Sequence, residues 1–397
     1  MILLTGGTGG LGREVLKQTL ASDEAARMIL LVRPSREQSA ESRVREILSE
    51  AQRARCEVVV GDVTLERFGL GESEFTSLAS RTSQIIHCAA STHLGQSLAD
   101  ARVSNVNGTA QVIALANESK RVREQAASLL HVSTAYVVGD TDTIVSPDLL
   151  QLDAPFRNAY EQSKAEAEAL VRAARVPFTI VRPSIIVGHS VTGVTSAFNV
   201  IYIPARFLAE GLFSILPGAP FTPFDLVPID YVARAITALV QAPDCSGRSY
   251  HLCSGVGRET TVREILEFIV KTVNTYRRKG LALLHTPPII SPELLLRACQ
   301  SFSSARHNLE RLFVKKLSVW VQTRPFIPYM LRNPRFDISG NESFLHSGCL
   351  HPPPLFTEYA ERVFKYCLDT NWGRVYRLVG HDPEVAPEHA IAEAAVR

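Results

Sequence analysis

The sequence lacks an excess of either charge and lacks long apolar runs. Its 42 Lys and Arg residues nearly balance 40 Asp and Glu residues, giving a formal net charge of +2. Without a basic block, the chain offers no electrostatic surface for nucleic acid. Its longest apolar stretches, one ending at Val32 and one around Ile201, are shorter than the roughly 20 residues that cross a bilayer. A composition that is 46% hydrophobic also argues against disorder.

Paired cysteines are missing as well, and we expect no leader segment. The seven cysteines are odd in number, scattered, and form no C-x-x-C pair, which argues against a disulfide framework and a structural zinc site. Met1 is followed at once by apolar residues and glycines, with no basic segment before them. We therefore expect a cytoplasmic protein without a metal.

What is present is an alternation of short apolar runs with longer helical patterns, typical of strand-helix-strand units around a parallel sheet. The sequence predicts an α/β fold with a Rossmann-type doubly wound parallel sheet. The predicted strands are Ile2 to Thr5, Met28 to Val32, Glu57 to Val60, Gln84 to His87, Leu129 to Val132, Phe178 to Val181 and Ser249 to Cys253.

The later part of the chain follows a different pattern. Residues 188–228 are rich in Gly, Pro, Phe and Ile, and together with residues 240–255 they predict a smaller substrate-binding region interleaved with the sheet. We expect residues 1–255 to form one unit that combines the parallel sheet with this substrate-binding region. Residues 256–397 predict a mainly helical C-terminal region.

A glycine-rich loop joins the first predicted strand to a helical pattern. Residues 6–12 read Gly-Gly-Thr-Gly-Gly-Leu-Gly, and glycines at this position let the backbone approach a pyrophosphate at the helix N-terminus. A P-loop is excluded because Arg13 and Glu14 follow where a Lys-Ser/Thr pair is required. The loop predicts a dinucleotide site that includes Gly6, Thr8, Gly9, Gly10, Leu11 and Gly12.

The end of the second predicted strand indicates which dinucleotide is bound. An NAD enzyme usually has an acidic residue there for the ribose hydroxyls, whereas this chain has Arg33. A guanidinium can pair with a 2′-phosphate, so NADP(H) is favoured, with Arg43 as a second phosphate contact. A solvated surface charge is the alternative for both arginines.

Further cofactor contacts follow the third and fourth predicted strands. Asp62, beside Val63, could accept from the adenine amino group or cap the next helix. Ala89 and Ala90 are small enough to allow close approach of the cofactor. His87 and Cys88 are interpreted as core residues because nothing nearby completes a metal site.

Tyr160 and Lys164 are four residues apart on a predicted helix and therefore share one face. An ammonium beside a phenol stabilises the phenolate, so we expect a lowered Tyr160 pKa and a usable proton donor or acceptor. Ser133 and Thr134 end the preceding strand, and either hydroxyl could hydrogen-bond a carbonyl oxygen at that sheet edge.

These motifs, in this order, resemble the extended short-chain dehydrogenase/reductases over roughly residues 1–255. The resemblance rests on the glycine loop, on residues 105–109 (Asn-Val-Asn-Gly-Thr), on the Ser133-Thr134 strand end, on Tyr160-x-x-x-Lys164 and on residues 182–184 (Arg-Pro-Ser). It implies that Thr134 acts with Tyr160, that Lys164 holds the nicotinamide ribose, that Asn107 orients this lysine or the cofactor, and that Pro183 lies against the nicotinamide.

Within that family, the residues around the motifs look most like those of the thioester reductase and fatty acyl-CoA reductase branch, of the male-sterility type. Residues 31–34, 131–136, 227–232 and 250–252 carry this likeness. The resemblance implies NADPH-dependent reduction of an acyl thioester, bound to CoA or to an acyl-carrier protein, to an aldehyde or alcohol, and hence a role in lipid metabolism. The aromatic residues between Phe198 and Phe224 are candidates to cover the acyl chain or, alternatively, to form the core of the substrate region.

Three other functions remain open. A ketone or hydroxysteroid-type reductase is compatible with every motif. A nucleotide-sugar epimerase or dehydratase shares the Tyr-Lys pair but usually uses NAD, and a non-catalytic NADP-binding regulator would not need the proton relay.

The segment from Leu309 to Val321 has the pattern of a basic amphipathic helix, which packs on its own domain or rests on a membrane surface as a peripheral contact.

Overall fold

The computed structural model describes residues 1–35, 38–198, 201–242, 246–277, 282–291, 322–342, 344 and 350–374. Its strands are β1 (Ile2–Thr5), β2 (Met28–Val32), β3 (Cys56–Val60), β4 (Gln84–His87), β5 (Ser128–Val132), β6 (Ile144–Val145), β7 (Phe178–Pro183), β8 (Ile185–Val187), β9 (Leu216–Pro217), β10 (Pro223–Phe224), β11 (Leu226–Pro228), β12 (Arg248–Leu252), β13 (Thr260–Thr261), β14 (Ile289–Ile290) and β15 (Arg335–Phe336).

Seven strands form one parallel sheet in the order β3-β2-β1-β4-β5-β7-β12. This confirms the predicted doubly wound Rossmann-type sheet. Strand β2 is buried along its whole length, as expected for an apolar strand with helices on both faces of the sheet. The strand order reverses between β1 and β4, and in such sheets the ligand crevice lies beyond the carboxyl ends of the strands at that reversal.

The α-helices are α1 (Gly10–Ser22), α2 (Ala40–Arg45), α3 (Glu50–Arg53), α4 (Glu72–Arg81), α5 (Leu98–Arg102), α6 (Gly108–Arg123), α7 (Ala159–Ala173), α8 (Tyr202–Ala209), α9 (Ile229–Gln241), α10 (Val262–Tyr276), α11 (Ile327–Leu331) and α12 (Phe356–Asp369). A π-helical turn, Val103–Asn107, joins α5 to α6. Short 3-10 turns occupy Glu66–Gly69, Ala135–Val138, Arg324–Phe326 and Ser339–Asn341.

Two apolar clusters cover the two faces of the sheet, and a third forms the substrate side of the molecule. The third cluster runs from Ala135 to Trp372, and it includes residues of α8, α10 and α12. Strand β15 pairs with β6, so that Arg335 lies opposite Ile144. Residues from both of the predicted regions, 1–255 and 256–397, therefore contribute to this core.

Within the described ranges, none of the helices has the length and apolar character that a bilayer crossing requires. The predicted basic amphipathic segment from Leu309 to Val321 lies outside the described residues.

Candidate active site

The glycine loop forms a close turn between β1 and α1. Gly6 has a φ of +72°, and the amide of Gly9 donates to the Gly6 carbonyl at 2.9 Å. A Cβ on Gly12 would lie 2.1 Å from that same carbonyl oxygen, so only glycine lets α1 approach the loop. The N-cap residue of α1 is Gly9, and no side chain caps the helix. This cradle fits the pyrophosphate of a dinucleotide, which the helix N-terminus stabilises.

Arg43 lies against the same loop. Its guanidinium donates to the Thr8 hydroxyl at 2.7 Å and to the Arg33 carbonyl at 2.5 Å. The Arg33 side chain is 69% exposed and forms a 3.4 Å ion pair with Asp62. The structure therefore brings Arg43 to the glycine loop, and Arg33, beyond the end of β2, meets Arg43 through its carbonyl.

Asp62 does not cap a helix. Its carboxylate accepts from the backbone amide of Thr64 at 2.9 Å and from the Thr64 hydroxyl at 2.8 Å, which closes a local turn after β3. Although partial burial raises the Asp62 pKa, these hydrogen bonds and the Arg33 charge bring it below its ordinary value. The following residue, Val63, packs against Gly108 at the start of α6.

The end of β4 closes the loop from the other side. The Ala89 amide donates to the Thr5 hydroxyl at 3.2 Å, and a Cβ on Gly6 would lie 2.7 Å from the Ala89 nitrogen. Ala90 and Cys88 line the cleft beside the loop. His87 is buried between the Thr5 and Thr109 hydroxyls, at 2.7 and 3.1 Å, and burial, followed by the Lys164 charge, lowers its pKa to about 3. His87 is therefore a neutral core residue, and no metal-binding group of three or more residues occurs in the described part of the chain.

A cleft of about 370 Å³ brings together the glycine loop and the predicted catalytic residues, including Gly9, Thr134, Tyr160, Lys164 and Pro183. Leu11 also lines this cleft. Helix α7 carries Tyr160 and Lys164, and it begins where the Asn158 side chain accepts from the Glu161 amide at 3.0 Å.

The two candidate hydroxyls at the end of β5 have different partners. Ser133 donates to Glu168 at 2.9 Å, whereas Thr134 forms a side-chain hydrogen bond with Tyr160. Both residues line the cleft, and Thr134 is the one whose hydroxyl hydrogen-bonds the tyrosine.

The predicted lowering of the Tyr160 pKa is wrong for this structure. Burial raises the pKa of Tyr160 to about 12, only partly offset by the hydrogen bond with Thr134. Lys164 does not act on the phenol, because its Nζ donates to the Val132 carbonyl at 2.7 Å and lies 3.4 Å from His131 Nε2. Burial lowers the pKa of Lys164 to about 8, against the opposing charge of Glu168.

The family resemblance implied that Asn107 orients Lys164 or the cofactor, but the asparagine that is buried in this motif is Asn105. Asn107 is exposed, at the end of the π-helical turn. Asn105 is 1% exposed; its Nδ2 donates to the Ser163 hydroxyl at 2.9 Å, and its Oδ1 accepts from the Ser91 amide at 2.8 Å. Ser163 precedes Lys164, so we propose that Asn105, and not Asn107, orients this part of α7. Turns of this type occur frequently at functional sites.

A buried ion pair beneath the cleft was missed by the sequence reasoning. The Arg182 guanidinium donates to both oxygens of Glu168 at 2.6 and 3.0 Å, and both side chains are 0% exposed. Burial alone raises the Glu168 pKa, but the charges of Arg182 and Arg172, with the Ser133 hydroxyl, bring it below its ordinary value. The signal was the spacing: Glu168 follows Lys164 by four residues and so shares its helix face.

The aromatic residues predicted to cover an acyl chain have different environments. Tyr202 is buried, and its hydroxyl accepts from the Gly188 amide at 2.7 Å. Phe207 belongs to a small separate cluster, and Phe221 is 73% exposed. Phe213 lines an apolar cavity on the substrate side.

Comparison with known proteins agrees with this geometry. The sequence profile of the male sterility protein family matches residues 4–236, more than half of the chain. The nonribosomal peptide synthetase asaC of Aspergillus flavus is 27% identical over 278 residues, which cover 66% of this chain and 26% of that protein. The L-2-aminoadipate reductase large subunit of Penicillium chrysogenum is 28% identical over 266 residues, or 62% of this chain and 19% of that protein. The chain thus spans about a quarter or less of the length of these two relatives.

Two solved structures share the architecture. The terminal R domain from the myxalamid PKS-NRPS biosynthetic pathway superposes with a TM-score of 0.73 at 26% identity, covering 94% of this chain and 91% of that one. UDP-glucuronic acid 4-epimerase from Bacillus cereus, in complex with NAD, has a TM-score of 0.62 at 17% identity over 92% and 97% of the two chains, which shows a shared fold alone. As its motifs predicted, the chain belongs to the male sterility protein family within the extended short-chain dehydrogenase/reductases, a family of NAD(P)-binding oxidoreductases.

Proposed function

We propose that the chain reduces an acyl thioester, carried on an acyl-carrier protein, to an aldehyde with NADPH. The observation that carries this proposal is the cleft in which Thr134, Tyr160 and Lys164 lie beside the glycine loop. This arrangement places two hydroxyl donors and one ammonium next to a dinucleotide cradle.

When bound, NADPH supplies a hydride to the carbonyl carbon of the thioester. The chain supplies the groups around the carbonyl oxygen. Thr134 and Tyr160 donate hydrogen bonds to the oxygen as it gains negative charge, and the Tyr160 proton moves onto it. A Tyr160 pKa of about 12 keeps the phenol protonated at neutral pH, so its proton is available for transfer. The resulting hemithioacetal then loses its hydroxyl proton to the sulfur as the C–S bond breaks, giving an aldehyde and a thiol.

The Lys164 Nζ is fixed by the Val132 carbonyl, so the ammonium is held beside the strand that ends in Thr134. We also assign Lys164 the ribose contact that the family resemblance implies.

The preference for NADPH over NADH rests on Arg33 and Arg43. Arg43 contacts Thr8 of the glycine loop, and Arg33 stands where an NAD enzyme would place an acid. Two guanidiniums at this edge suit a 2′-phosphate, which an Arg side chain can bind bidentately. We expect Arg33→Ala and Arg43→Ala to raise the KM for NADPH and to leave the KM for NADH nearly unchanged.

The proposal of a carrier-bound substrate is supported by what two related proteins are. One relative is named as a nonribosomal peptide synthetase, and one structural neighbour is a thiolation-reductase di-domain from an archaeal non-ribosomal peptide synthetase. A reductase attached to a thiolation domain has a carrier-bound thioester within reach. Acyl-CoA is the competing substrate, and it enters the assay as a separate arm.

The test offers the purified chain NADPH or NADH with an acyl-carrier thioester, the matching acyl-CoA, a free aldehyde and a simple ketone. We expect NADPH oxidation with release of carrier thiol and formation of aldehyde. Tyr160→Phe should lower turnover by about 10²- to 10⁴-fold, the range for loss of a proton donor. Tyr276→Phe, which alters an exposed tyrosine far along the chain, is the matched control and should retain activity. Turnover of ketones without thiol release from any thioester would contradict the proposal.

A further inference from the structure

The first turn of α7, which carries Tyr160, is contacted by a residue far along the chain. Asn158 is the N-cap of this helix, and Glu161 follows Tyr160 by one position. The hydroxyl of Tyr329 donates to the Glu161 carboxylate at 2.6 Å and accepts from the Asn158 side-chain amide at 2.8 Å. A single phenol thus joins two residues that lie on either side of Tyr160 in the chain.

These contacts are shielded from water. The Glu161 side chain is 0% exposed, and Tyr329 is buried. Burial raises the pKa of Glu161, although the charge of Arg157 and the hydrogen bond from Tyr329 act against it. A buried carboxylate depends on the donors around it, because water does not reach it to replace a donor that is lost. The contact between Tyr329 and Glu161 therefore contributes to holding this turn in place.

Arg157 contacts the ring of Tyr329 as well. Its guanidinium carbon lies 4.8 Å from the centroid of the Tyr329 ring and 5.8 Å from that of the Tyr136 ring. A cation over an aromatic face is attracted by the ring. The same guanidinium donates to the Arg332 carbonyl at 2.8 Å and to the Asp140 carboxylate at 3.3 Å. Since Arg157 directly precedes the N-cap of α7, the ring and the hydroxyl of Tyr329 contact the same short segment.

Tyr329 brings the C-terminal region to the catalytic cleft. It belongs to α11, beyond the unit of residues 1–255 that the sequence predicts, yet it lines the cleft together with Thr134, Tyr160 and Lys164. The Tyr160 hydroxyl has to reach both Thr134 and the carbonyl oxygen of a substrate. A misplacement of about 1 Å in a catalytic site can lower a rate by about 100-fold. The placement of the first turn of α7 therefore bears directly on the rate.

We propose that Tyr329 is a positioning residue for Tyr160, and that it fixes the first turn of α7 through Asn158 and Glu161. The proposal rests on the proposed function for the role of Tyr160 as proton donor. Tyr329 itself gives no proton to the substrate, because its hydroxyl donates to Glu161. The C-terminal region then takes part in the chemical step through α11, in addition to its contribution to the core.

Two buried tyrosines of the C-terminal region provide a matched pair of variants. Tyr329→Phe keeps the ring and removes the hydroxyl. Tyr359→Phe makes the same change on α12, where the buried hydroxyl donates to the Leu226 carbonyl at 2.8 Å. Each variant loses a buried hydrogen bond, so both should unfold at a lower urea concentration than the wild type. Of the two, Tyr329→Phe is the one that alters a contact with the turn of Tyr160.

Turnover is measured with NADPH and whichever of the thioesters, the aldehyde and the ketone the wild-type chain reduces fastest. Tyr329→Phe should lower kcat by about 10- to 100-fold and leave the Kd for NADPH nearly unchanged. It should also enlarge the solvent deuterium isotope effect, because proton transfer from Tyr160 becomes slower. Tyr359→Phe should retain the wild-type kcat and isotope effect. A purely structural role for Tyr329 would lower the stability of both variants and leave kcat unchanged in both.

Amide hydrogen exchange reports on the same turn without turnover. Peptides that cover residues 157–164 should exchange faster in Tyr329→Phe than in the wild type, and at the wild-type rate in Tyr359→Phe. If Tyr329→Phe does not fold, Asn158→Ser removes the amide that donates to Tyr329, while the serine hydroxyl still caps α7. This variant should likewise lower kcat and speed exchange in the peptides.

The outcomes separate this inference from the proposed function. A wild-type kcat in Tyr329→Phe overturns the inference whatever its exchange rate, as does an equal loss of kcat in Tyr329→Phe and Tyr359→Phe. Faster exchange in Tyr329→Phe, in a chain that reduces no thioester, supports the positioning role and counts against the proposed reaction. Reduction of thioesters at equal rates by the wild type and Tyr329→Phe supports the reaction and counts against the positioning role.

Discussion

The buried ion pair of Glu168 and Arg182 permits a quantitative prediction. Glu168→Gln leaves the Arg182 guanidinium at 0% exposure without a negative partner, and it weakens the bond from Ser133 as well. Removing one member of a buried pair costs about 3 to 5 kcal/mol, because the remaining charge is not compensated. Folded domains are stable by only about 5 to 15 kcal/mol. A large part of the unfolding free energy should therefore be lost, as measured by equilibrium unfolding in urea.

A matched control lies two residues away on the same helix. Glu166 receives two hydrogen bonds from Arg102 at 2.6 and 2.7 Å, so its pairing geometry resembles that of Glu168. The Arg102 side chain, however, is 48% exposed, and solvent screens such a pair. Glu166→Gln should therefore have a much smaller effect on the urea midpoint. Equal midpoints for the two variants would refute the reasoning that burial makes the Glu168 pair matter.

Three further predictions concern the cofactor loop and α7. The Lys164 ammonium loses its proton as the pH rises through its pKa of about 8. In a pH profile, kcat/KM for NADPH should therefore fall on the alkaline side near pH 8. The variant Lys164→Arg stays charged and should lack this fall. Asn105→Ala should lower the free energy of unfolding in urea by about 1 to 3 kcal/mol, because it leaves buried hydrogen-bonding partners unsatisfied. Asn107→Ala, at an exposed position, should change it by no more than about 0.5 kcal/mol. Equal losses for the two variants would contradict the role proposed for Asn105. Gly12→Ala places a Cβ against the Gly6 carbonyl and should abolish NADPH binding in a fluorescence titration, so an unchanged Kd would count against the cradle.

The parallel sheet could be predicted from the sequence because its strands carry local signals. Apolar runs such as Met28–Val32 are typical of strands buried on both faces, and the glycine loop fixes where β1 ends and α1 begins. The position of Thr134 near the glycine loop follows from the topology, since carboxyl ends of parallel strands meet at one edge of the sheet. Tyr160 and Lys164 lie in the first turns of α7.

The details of the site depended on contacts that spacing does not specify. An interval of four residues places Tyr160 and Lys164 on one face, but it does not say that the lysine Nζ turns to the Val132 carbonyl. Burial then decides the Tyr160 pKa, and its effect is opposite to that expected from the pair alone. These two results depend on tertiary packing.

Two other features had no readable signal in the sequence. The motif at residues 105–109 contains two asparagines, and the π-helical turn decides which of them faces inward. Tyr329 reaches Glu161 across 168 positions of the chain, and nothing local to either residue indicates the contact. Long-range pairings of this kind require the folded structure.

The reduction of a carrier-bound thioester is tested most directly by following the hydride. The purified chain is given an acyl-carrier thioester with NADPH carrying deuterium at the transferable position, and the products are analysed by mass spectrometry while free carrier thiol is counted. The account predicts one deuterium on the former carbonyl carbon of the aldehyde and one thiol released for each aldehyde formed. Aldehyde without deuterium at that carbon, or NADPH oxidation without release of thiol, would contradict it.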